Sequence, residues 1–287
     1  MRRFFIFTGV SLFALVACYI LLQPISGSFV RYLLWTMTPA AVGVRGSVES
    51  GGADIYFVSY GSGPPVLLLH GGLSNRFAWF SQIPWLVAAG RRVVLPDTRG
   101  HGDSGLGSRE LNYHLLASDA IHVLDKLGIR QADVIGWSDG GNTALLLGRY
   151  WPGRVRRLVA ISANFSPAGL TAEAREDANR QSSGLQYWLA GWWTGAGHRV
   201  VELERRIKRM WRTFPSLQPA DLKEIAAPTL VIVGRHDIVS VEHAGRMAEL
   251  LPHGSLEVIP GGHNTPVTHA ERVNALIAGF LGITVSG

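Results

Sequence analysis

A serine flanked by glycines is the first feature of this sequence that is suited to chemistry. Gly136-Trp137-Ser138-Asp139-Gly140 fits the pattern G-x-S-x-G, and it falls between an apolar run that predicts a strand and a spacing that predicts a helix. On such a turn the serine backbone is strained and its hydroxyl is exposed, while the small residues on either side let the turn close. We therefore predict that Ser138 is a nucleophile.

A serine hydroxyl needs a base to take its proton, and here the expected base is a histidine that a carboxylate orients. Asp237 ends the segment Gly-Arg-His-Asp, and His263 lies in Gly-Gly-His-Asn, each directly after a predicted strand. Both follow Ser138 in the chain order serine, acid, histidine. The sequence therefore predicts a catalytic triad of Ser138, His263 and Asp237.

Attack on a carbonyl group also requires N–H donors for the oxyanion that develops. The segment His70-Gly71-Gly72-Leu73 follows an early predicted strand. We expect the backbone N–H of Gly72 or of Leu73 to act together with that of Asp139, and we expect His70 to brace the loop. No metal-binding spacing such as His-Glu-x-x-His occurs in the sequence, and no cofactor is predicted.

Alternating strand and helix patterns from residue 53 onward must position these side chains. Short, nearly continuous apolar runs, such as 66–69, 132–137 and 229–233, are separated by segments with helical spacing. This pattern indicates an α/β fold with a mostly parallel sheet that helices cover on both faces. Sites in such sheets lie beyond the carboxyl ends of the strands, where each member of the predicted triad falls.

The alternation is interrupted between residues 167 and 225, where helical patterns and tryptophans occur without a convincing strand. We therefore predict an α/β core made of residues 53–166 and 226–287, with residues 167–225 inserted as a helical cap.

Four residues are candidates for contact with a substrate. Trp137 and Asp139 flank the predicted nucleophile, and Trp188 and Trp192 belong to the predicted cap. Packing inside the cap is the alternative role for the two cap tryptophans, because large aromatic side chains are usually buried.

The N-terminus predicts a tether. Two arginines precede an uncharged, mostly apolar run that ends at residue 22 and is about as long as a hydrocarbon core is thick. We predict that residues 1–22 are a membrane anchor or signal segment, that residues 23–52 are a linker and that the core lies outside the cytoplasm. Residues 29–35 predict a short interfacial helix or a loop packed on the domain. Processing as a lipoprotein at Cys18 stays open as an alternative.

Composition narrows the class of protein. The 287 residues are 47% apolar and 17% charged, which is typical of a globular chain. The net charge of +6 suits an anionic membrane surface. Nucleic-acid binding is not expected, because the densest basic stretch, residues 205–209, fits one face of an amphipathic helix. The oligomeric state stays open.

Taken together, these motifs resemble the α/β-hydrolase superfamily over nearly all of residues 53–281. The segment 97–104 looks like the structural D-x-R-G-x-G-x-S turn of that superfamily. Trp137-Ser138-Asp139-Gly140-Gly141 is similar to the valacyclovir-hydrolase-like group, in which the acid after the nucleophile binds a substrate α-amino group. That resemblance implies a substrate-binding role for Asp139, and a carboxylate at a helix N-terminus is the alternative.

The expected function is hydrolysis of a carboxylic ester or related acyl bond in a small molecule, through an acyl-enzyme on Ser138. Two alternatives stay open. One is a non-hydrolytic enzyme on the same triad, such as an acyltransferase or a cofactor-free perhydrolase or haloperoxidase. The other is a binding protein on a hydrolase fold. A serine at this position argues against epoxide hydrolases and haloalkane dehalogenases, which use aspartate there.

Overall fold

The apolar runs of the sequence become strands of one twisted sheet. The computed structural model describes residues 24–180, 191 and 199–283. Within them, eight strands are arranged in the spatial order β1-β2-β4-β3-β5-β6-β7-β8. In chain order the strands are β1 (Val44–Ser50), β2 (Ala53–Tyr60), β3 (Pro65–Leu69), β4 (Arg92–Pro96), β5 (Ala132–Trp137), β6 (Val155–Ile161), β7 (Thr229–Gly234) and β8 (Gly254–Ile259).

Helices alternate with these strands along the chain. Those whose bounds the structure describes are α1 (Pro24–Thr36), α2 (Ile83–Ala88), α3 (Tyr113–Lys126), α4 (Asp139–Tyr150), α5 (Ala172–Asp177), α6 (Val200–Thr213), α7 (Pro219–Lys223), α8 (Val241–Leu250), α9 (Thr265–Thr268) and α10 (Ala270–Leu281). Short 3-10 turns lie at Pro39–Ala41, Arg76–Trp79, Pro152–Arg154 and Pro167–Gly169.

The sheet is mostly parallel, as the sequence predicts. Strands β4, β3, β5, β6, β7 and β8 run parallel to one another, whereas β2 is antiparallel to both of its neighbours, β1 and β4. Successive side chains of a strand point to opposite faces. Leu67 therefore packs into the core that contains α3 and α4, while Leu68 packs into the core that contains α2 and α10. Both faces are covered, which explains why the strands read as continuous apolar runs.

Residues 23–52 are not the linker that the sequence predicts. Their described part forms α1 and β1, and β1 pairs with β2 along its whole length. The reason is visible in the burial of β1, in which only Ser50 is buried. Val48 is the one apolar residue of β1 that packs against the core, and so little apolar alternation does not reveal a strand from hydropathy.

The segment around residues 29–35 is helical and packs on the domain. Tyr32 is buried in the same core as α2 and α10. Its ring lies 6.4 Å from the ring of Phe80, and the Trp35 ring lies 5.1 Å from that of Tyr60. The sequence left open an interfacial helix or a loop packed on the domain. The structure combines parts of both, because residues 29–35 are helical and pack on the domain.

The predicted membrane-anchored, extracytoplasmic location is corrected. Among residues 24–180, 191 and 199–283, no helix is both long and apolar enough to span a membrane. Helix α1, the first helix of the described residues, has 13 residues and is docked on the domain. The segment 1–22, including Cys18, lies outside the described residues.

The described residues between β6 and β7 form α5, α6 and α7 and contain no strand. They lie on the side of the sheet where the parallel strands end, because Leu170 forms a β-bridge with Val239, which follows β7. Trp188 and Trp192 lie outside the described residues.

Candidate active site

Ser138 stands on a strained turn between β5 and α4. Its φ of +55° and ψ of −122° lie in a region that side-chain-bearing residues rarely adopt. A Cβ on Gly136 would overlap the carbonyl of Gly140, and a Cβ on Gly140 would overlap the carbonyl of Leu69. Only glycine lets strand and helix approach this closely, so the two glycines force the serine into the tip of the turn.

Ser138, His263 and Asp237 are joined by hydrogen bonds. His263 Nε2 lies 2.9 Å from Ser138 Oγ, and His263 Nδ1 lies 2.7 Å from Asp237 Oδ1. The Asp237 side chain is fully buried, whereas 21% of the His263 side chain is exposed. The geometry is that of a nucleophile, a base and an orienting acid.

Several groups hold Asp237 as a carboxylate. Ser162 Oγ donates to its Oδ2 at 2.5 Å, and the N–H of Val239 donates to its Oδ1 at 3.2 Å. Burial raises the pKa of Asp237, but the hydrogen bond and charge of His263, with the bonds from Ser162 and Val239, outweigh it and lower the pKa below its ordinary value. Ser162 has a φ of +53°, so its backbone is strained in order to aim this hydroxyl.

Trp137 positions the histidine loop. Its Nε1 donates to the carbonyl oxygen of His263 at 2.8 Å, and its ring centre lies 5.8 Å from the imidazole. Trp137, which precedes Ser138, is therefore hydrogen-bonded to His263, the predicted base. It also lines a cavity, as the prediction of a substrate contact requires.

Two buried histidines hold the loop after β3. The Leu73 N–H donates to His101 Nε2 at 3.0 Å, and the Thr98 N–H donates to His70 Nε2 at 2.9 Å. Leu73 has a φ of +51°. Since the Leu73 N–H is already engaged, Gly72 is the candidate oxyanion donor from this loop.

The position of Gly72 agrees with that role. A Cβ there would overlap the Asp139 carboxylate, so only glycine brings this backbone so close to the start of α4. The first N–H groups of a helix have no partner within it, which leaves the Asp139 N–H available beside Ser138. Gly72 and Asp139 thus lie next to each other, and both line a cavity that contains Ser138.

The Asp139 carboxylate is buried inside the site. It accepts hydrogen bonds from the Tyr113 hydroxyl at 2.7 Å and from Trp211 Nε1 at 2.8 Å. Burial raises its pKa, and the hydrogen bonds from Trp211 and Tyr113 and the charge of His263 only partly offset that rise. It is thus more than a surface carboxylate at a helix start.

Two cavities meet at Ser138 and His263. One, of about 400 Å³, lies under α5 and α6 and has polar side chains in its lining, among them Asp139, Asn164 and Glu173. The other, of about 440 Å³, lies beneath α1, and both polar and apolar side chains line it, among them Ser74, Asn264 and Phe80. Pockets of this size hold small molecules.

Sequence reasoning missed Tyr113, Ser162 and Trp211. Trp211 comes from the same tryptophan-rich segment as Trp188 and Trp192, and of these three it is the one that the described residues bring to the cavity. The available signal was helical spacing, because Trp211 follows the buried Ile207 by four residues and so lies on the buried face of α6. Tyr113 and Ser162 carry no local signal, because their contacts are made across the fold.

No group of three or more His, Cys, Asp or Glu side chains that could hold a metal occurs in the described part of the chain.

The fold and the strained serine turn define an α/β hydrolase. The profile of the alpha/beta hydrolase family matches residues 66–276, and the chain belongs to that family.

Individual relatives extend this result. A non-heme haloperoxidase from Rhodococcus erythropolis is 28% identical over 266 residues, which cover 81% of this chain and 97% of the relative. Bifunctional epoxide hydrolase 2 from Sus scrofa is 32% identical over 165 residues, but these cover 57% of this chain and only 29% of the relative. Among solved structures, a meta-cleavage product hydrolase from Pseudomonas fluorescens IP01 has a TM-score of 0.72 and 25% identity, covering 83% of this chain and 97% of that chain. These relatives support an enzyme acting on a small molecule.

Proposed function

We propose that the protein is a serine hydrolase that cleaves carboxylic esters or related acyl bonds through Ser138, His263 and Asp237. The observation that carries the proposal is the unbroken hydrogen-bonded chain from Ser138 Oγ through the imidazole to the Asp237 carboxylate. The position of the triad supports the same proposal, because Ser138 and His263 line two cavities of a size that holds small molecules.

Acylation begins with the imidazole proton on Nδ1, where it is donated to Asp237. Nε2 takes the proton of Ser138 Oγ as Oγ bonds to the carbonyl carbon of the ester. The carbonyl oxygen becomes an oxyanion that the N–H groups of Gly72 and Asp139 stabilise. When the tetrahedral intermediate collapses, the bond to the alcohol oxygen breaks and His263 Nε2 gives its proton to that oxygen.

Deacylation repeats these steps with water. His263 Nε2 takes a proton from water, whose oxygen bonds to the acyl carbon. The bond to Ser138 Oγ then breaks, Oγ regains the proton from Nε2 and the carboxylic acid leaves. Asp237 stays ionised throughout and stabilises the charged imidazole, for which its lowered pKa is suited.

Asp139 supports a preference within this reaction. Its carboxylate lines the cavity under α5 and α6 beside Tyr113 and Trp211, so a cationic group of a substrate in that cavity would lie near it. This agrees with the amine-binding role that the resemblance to valacyclovir-hydrolase-like enzymes implies. An ester of an amino acid is thus one substrate to include in any screen.

A second candidate is a perhydrolase activity on the same triad. The observation that favours it is the non-heme haloperoxidase that aligns with 81% of this chain. Here hydrogen peroxide replaces water in deacylation, its oxygen bonds to the acyl carbon, and a peracid and free Ser138 are formed. The reaction needs no metal, because the peroxide is the nucleophile.

A screen of esters, thioesters, lactones and amides, with and without hydrogen peroxide, tests both candidates. We expect carboxylic acid from an ester without peroxide and no turnover by a folded Ser138→Ala variant. Peracid formed faster than acid would favour the second candidate. A folded wild-type protein that binds acyl compounds and turns none over would indicate a binding protein instead.

A further inference from the structure

A cavity separate from the candidate active site lies between α1 and the antiparallel edge of the sheet. It has a volume of about 250 Å³, and none of its described lining residues also lines either cavity at Ser138. Helix α1 and strands β1 and β2 supply most of its wall, and all three precede the segment 66–276 that the family profile matches. Membership of the family therefore does not account for this cavity.

Aromatic side chains form much of the wall, and they are Tyr32, Trp35, Tyr56, Tyr60 and Phe77. The Trp35 ring packs edge-to-face on Tyr60 at 5.1 Å. The Tyr32 ring packs in the same way on Phe77 at 5.8 Å. These contacts hold the rings in place, and a planar apolar group gains from contact with them. Because drug-sized molecules occupy pockets of about 300–1,000 Å³, the smaller cavity suits a single ring.

Two arginines line the same cavity, and they differ in their partners. Arg76 pairs with Asp97 and with Asp103, whose Oδ2 lies 2.8 Å from its Nη2. Arg45, which lies on the exposed strand β1, forms no ion pair with a carboxylate in the part of the chain that the structure describes. The charge of Arg45 is therefore available to an anionic group that enters the cavity, and such charge-assisted contacts are the strong ones.

The Tyr32 hydroxyl is a second group that indicates a ligand. Tyr32 is only 6% exposed, and its hydroxyl makes no hydrogen bond to another described residue. Burial, and after it the neighbouring Tyr60, raises the pKa of Tyr32 to about 12 against the charges of Arg76 and Arg45. These three neighbours all line the cavity, which indicates that the hydroxyl faces it. A buried donor without a partner costs free energy that an acceptor on a ligand would recover.

We propose that this cavity is a binding site for a small aromatic carboxylate. The aromatic side chains contact the ring, the Arg45 guanidinium pairs with the carboxylate, and the Tyr32 hydroxyl donates a hydrogen bond to a carboxylate oxygen. A neutral ring would leave the charge of Arg45 unused, and an anion without a ring would leave the aromatic wall uncovered. The site is distinct from Ser138 and does not depend on the proposed ester hydrolysis.

Isothermal titration calorimetry of the full chain with four probes tests the ligand class. Benzoate is expected to bind with a Kd of roughly 0.1–1 mM at neutral pH. Benzyl alcohol keeps the ring without the charge, and acetate keeps the charge without the ring. Each is expected to bind about tenfold more weakly than benzoate, or weaker still, and inorganic phosphate is expected to bind no better than acetate.

Two variants and a control locate the binding. Arg45→Gln is expected to weaken benzoate about tenfold and to leave benzyl alcohol unchanged. Tyr32→Phe is expected to weaken benzoate about fivefold without lowering the free energy of unfolding, because the hydroxyl that it removes has no partner among the described residues. Arg130→Gln is the matched control, since Arg130 is exposed and does not line the cavity, and it should bind benzoate as the wild type does. Chemical denaturation compares the stability of all four proteins.

The proposal is overturned if the wild type binds no benzoate up to about 10 mM. It is also overturned if Arg45→Gln or Tyr32→Phe binds benzoate with wild-type affinity, because the benzoate would then lie elsewhere, for example beside Ser138. Equal affinities for benzoate and benzyl alcohol would show a site for a ring alone, and phosphate binding more tightly than benzoate would show a site for an anion alone. Either result contradicts an aromatic carboxylate as the ligand.

Discussion

Ser138, His263 and Asp237 can act as one unit only if each side chain has a single orientation, and each is held in a different way. The serine is fixed by backbone strain between two glycines. The histidine loop is tied by the Trp137 indole, and the aspartate accepts a hydrogen bond from Ser162. Such supporting contacts restrict the side chains to a productive geometry, which is worth orders of magnitude in rate.

Residue types and order predict the three chemical groups, but they do not predict the supporting ones. G-x-S-x-G, a late aspartate and a later histidine are visible because each follows an apolar strand. Ser162 also follows a strand, yet nothing in its neighbourhood distinguishes a hydroxyl that reaches Asp237, 75 residues away. Contacts of that separation depend on the sheet order, which hydropathy does not give.

At the residue scale, Ser162→Ala is expected to lower kcat of ester hydrolysis by roughly 10- to 100-fold. The reason is the loss of a hydrogen bond to a charged group, worth about 1.5–3 kcal/mol. Exposed Ser216→Ala is the matched control and should retain full activity. Steady-state kinetics with both variants measures the effect, and wild-type kcat in folded Ser162→Ala would show that this hydroxyl does not position Asp237.

The turn between β5 and α4 is the element on which the site depends. Its glycines are buried against backbone, so the strand and helix approach more closely than any side chain permits. The sequence predicts both flanking elements because β5 is a buried apolar run and α4 has helical spacing. It does not predict β1, an edge strand with little apolar alternation, and for residues 29–35 it leaves open a helix or a packed loop.

At the element scale, Gly136→Ala is expected to lower the free energy of unfolding by about 1–3 kcal/mol, because the new methyl group overlaps the backbone of Gly140. The same exchange at Gly279, in α10 with open space around it, is expected to stabilise by about 0.5–1 kcal/mol. Chemical denaturation of both variants gives the two values. A neutral result at Gly136 would mean that the turn is not tightly packed.

At the scale of the whole molecule, a sheet covered on both faces also buries groups that titrate. His70 and His101 are each about 1% exposed or less, and both accept hydrogen bonds from backbone N–H groups. Burial lowers the pKa of His70 to about 4 and that of His101 to about 3. Both imidazoles are therefore neutral in the folded protein near pH 7, and folding is linked to pH through them.

Acid is expected to destabilise the fold through these histidines. In the unfolded chain a histidine titrates near pH 6.5, so between that value and the lowered folded pKa the unfolded state binds more protons and stability falls as pH falls. From pH 7 to pH 5 each histidine accounts for a loss of about 2 kcal/mol.

The His101→Asn substitution is expected to remove the contribution of one histidine to this pH dependence. Its loss of unfolding free energy between pH 7 and pH 5 should be about 2 kcal/mol smaller than that of the wild type. Exposed His253→Asn serves as the control and should keep the wild-type dependence. Urea unfolding at each pH measures this dependence. An equal pH dependence in the wild type and in His101→Asn would contradict a neutral buried His101.

The central claim is that Ser138 is an activated nucleophile, and a fluorophosphonate probe tests it most directly because the probe bonds covalently to such a serine. Intact-protein mass spectrometry followed by peptide mapping reads out the product. We expect one adduct on the wild-type chain, located on Ser138, and none on a folded Ser138→Ala variant. A folded wild-type protein that takes up no probe, or that carries the adduct on another residue, would contradict the account.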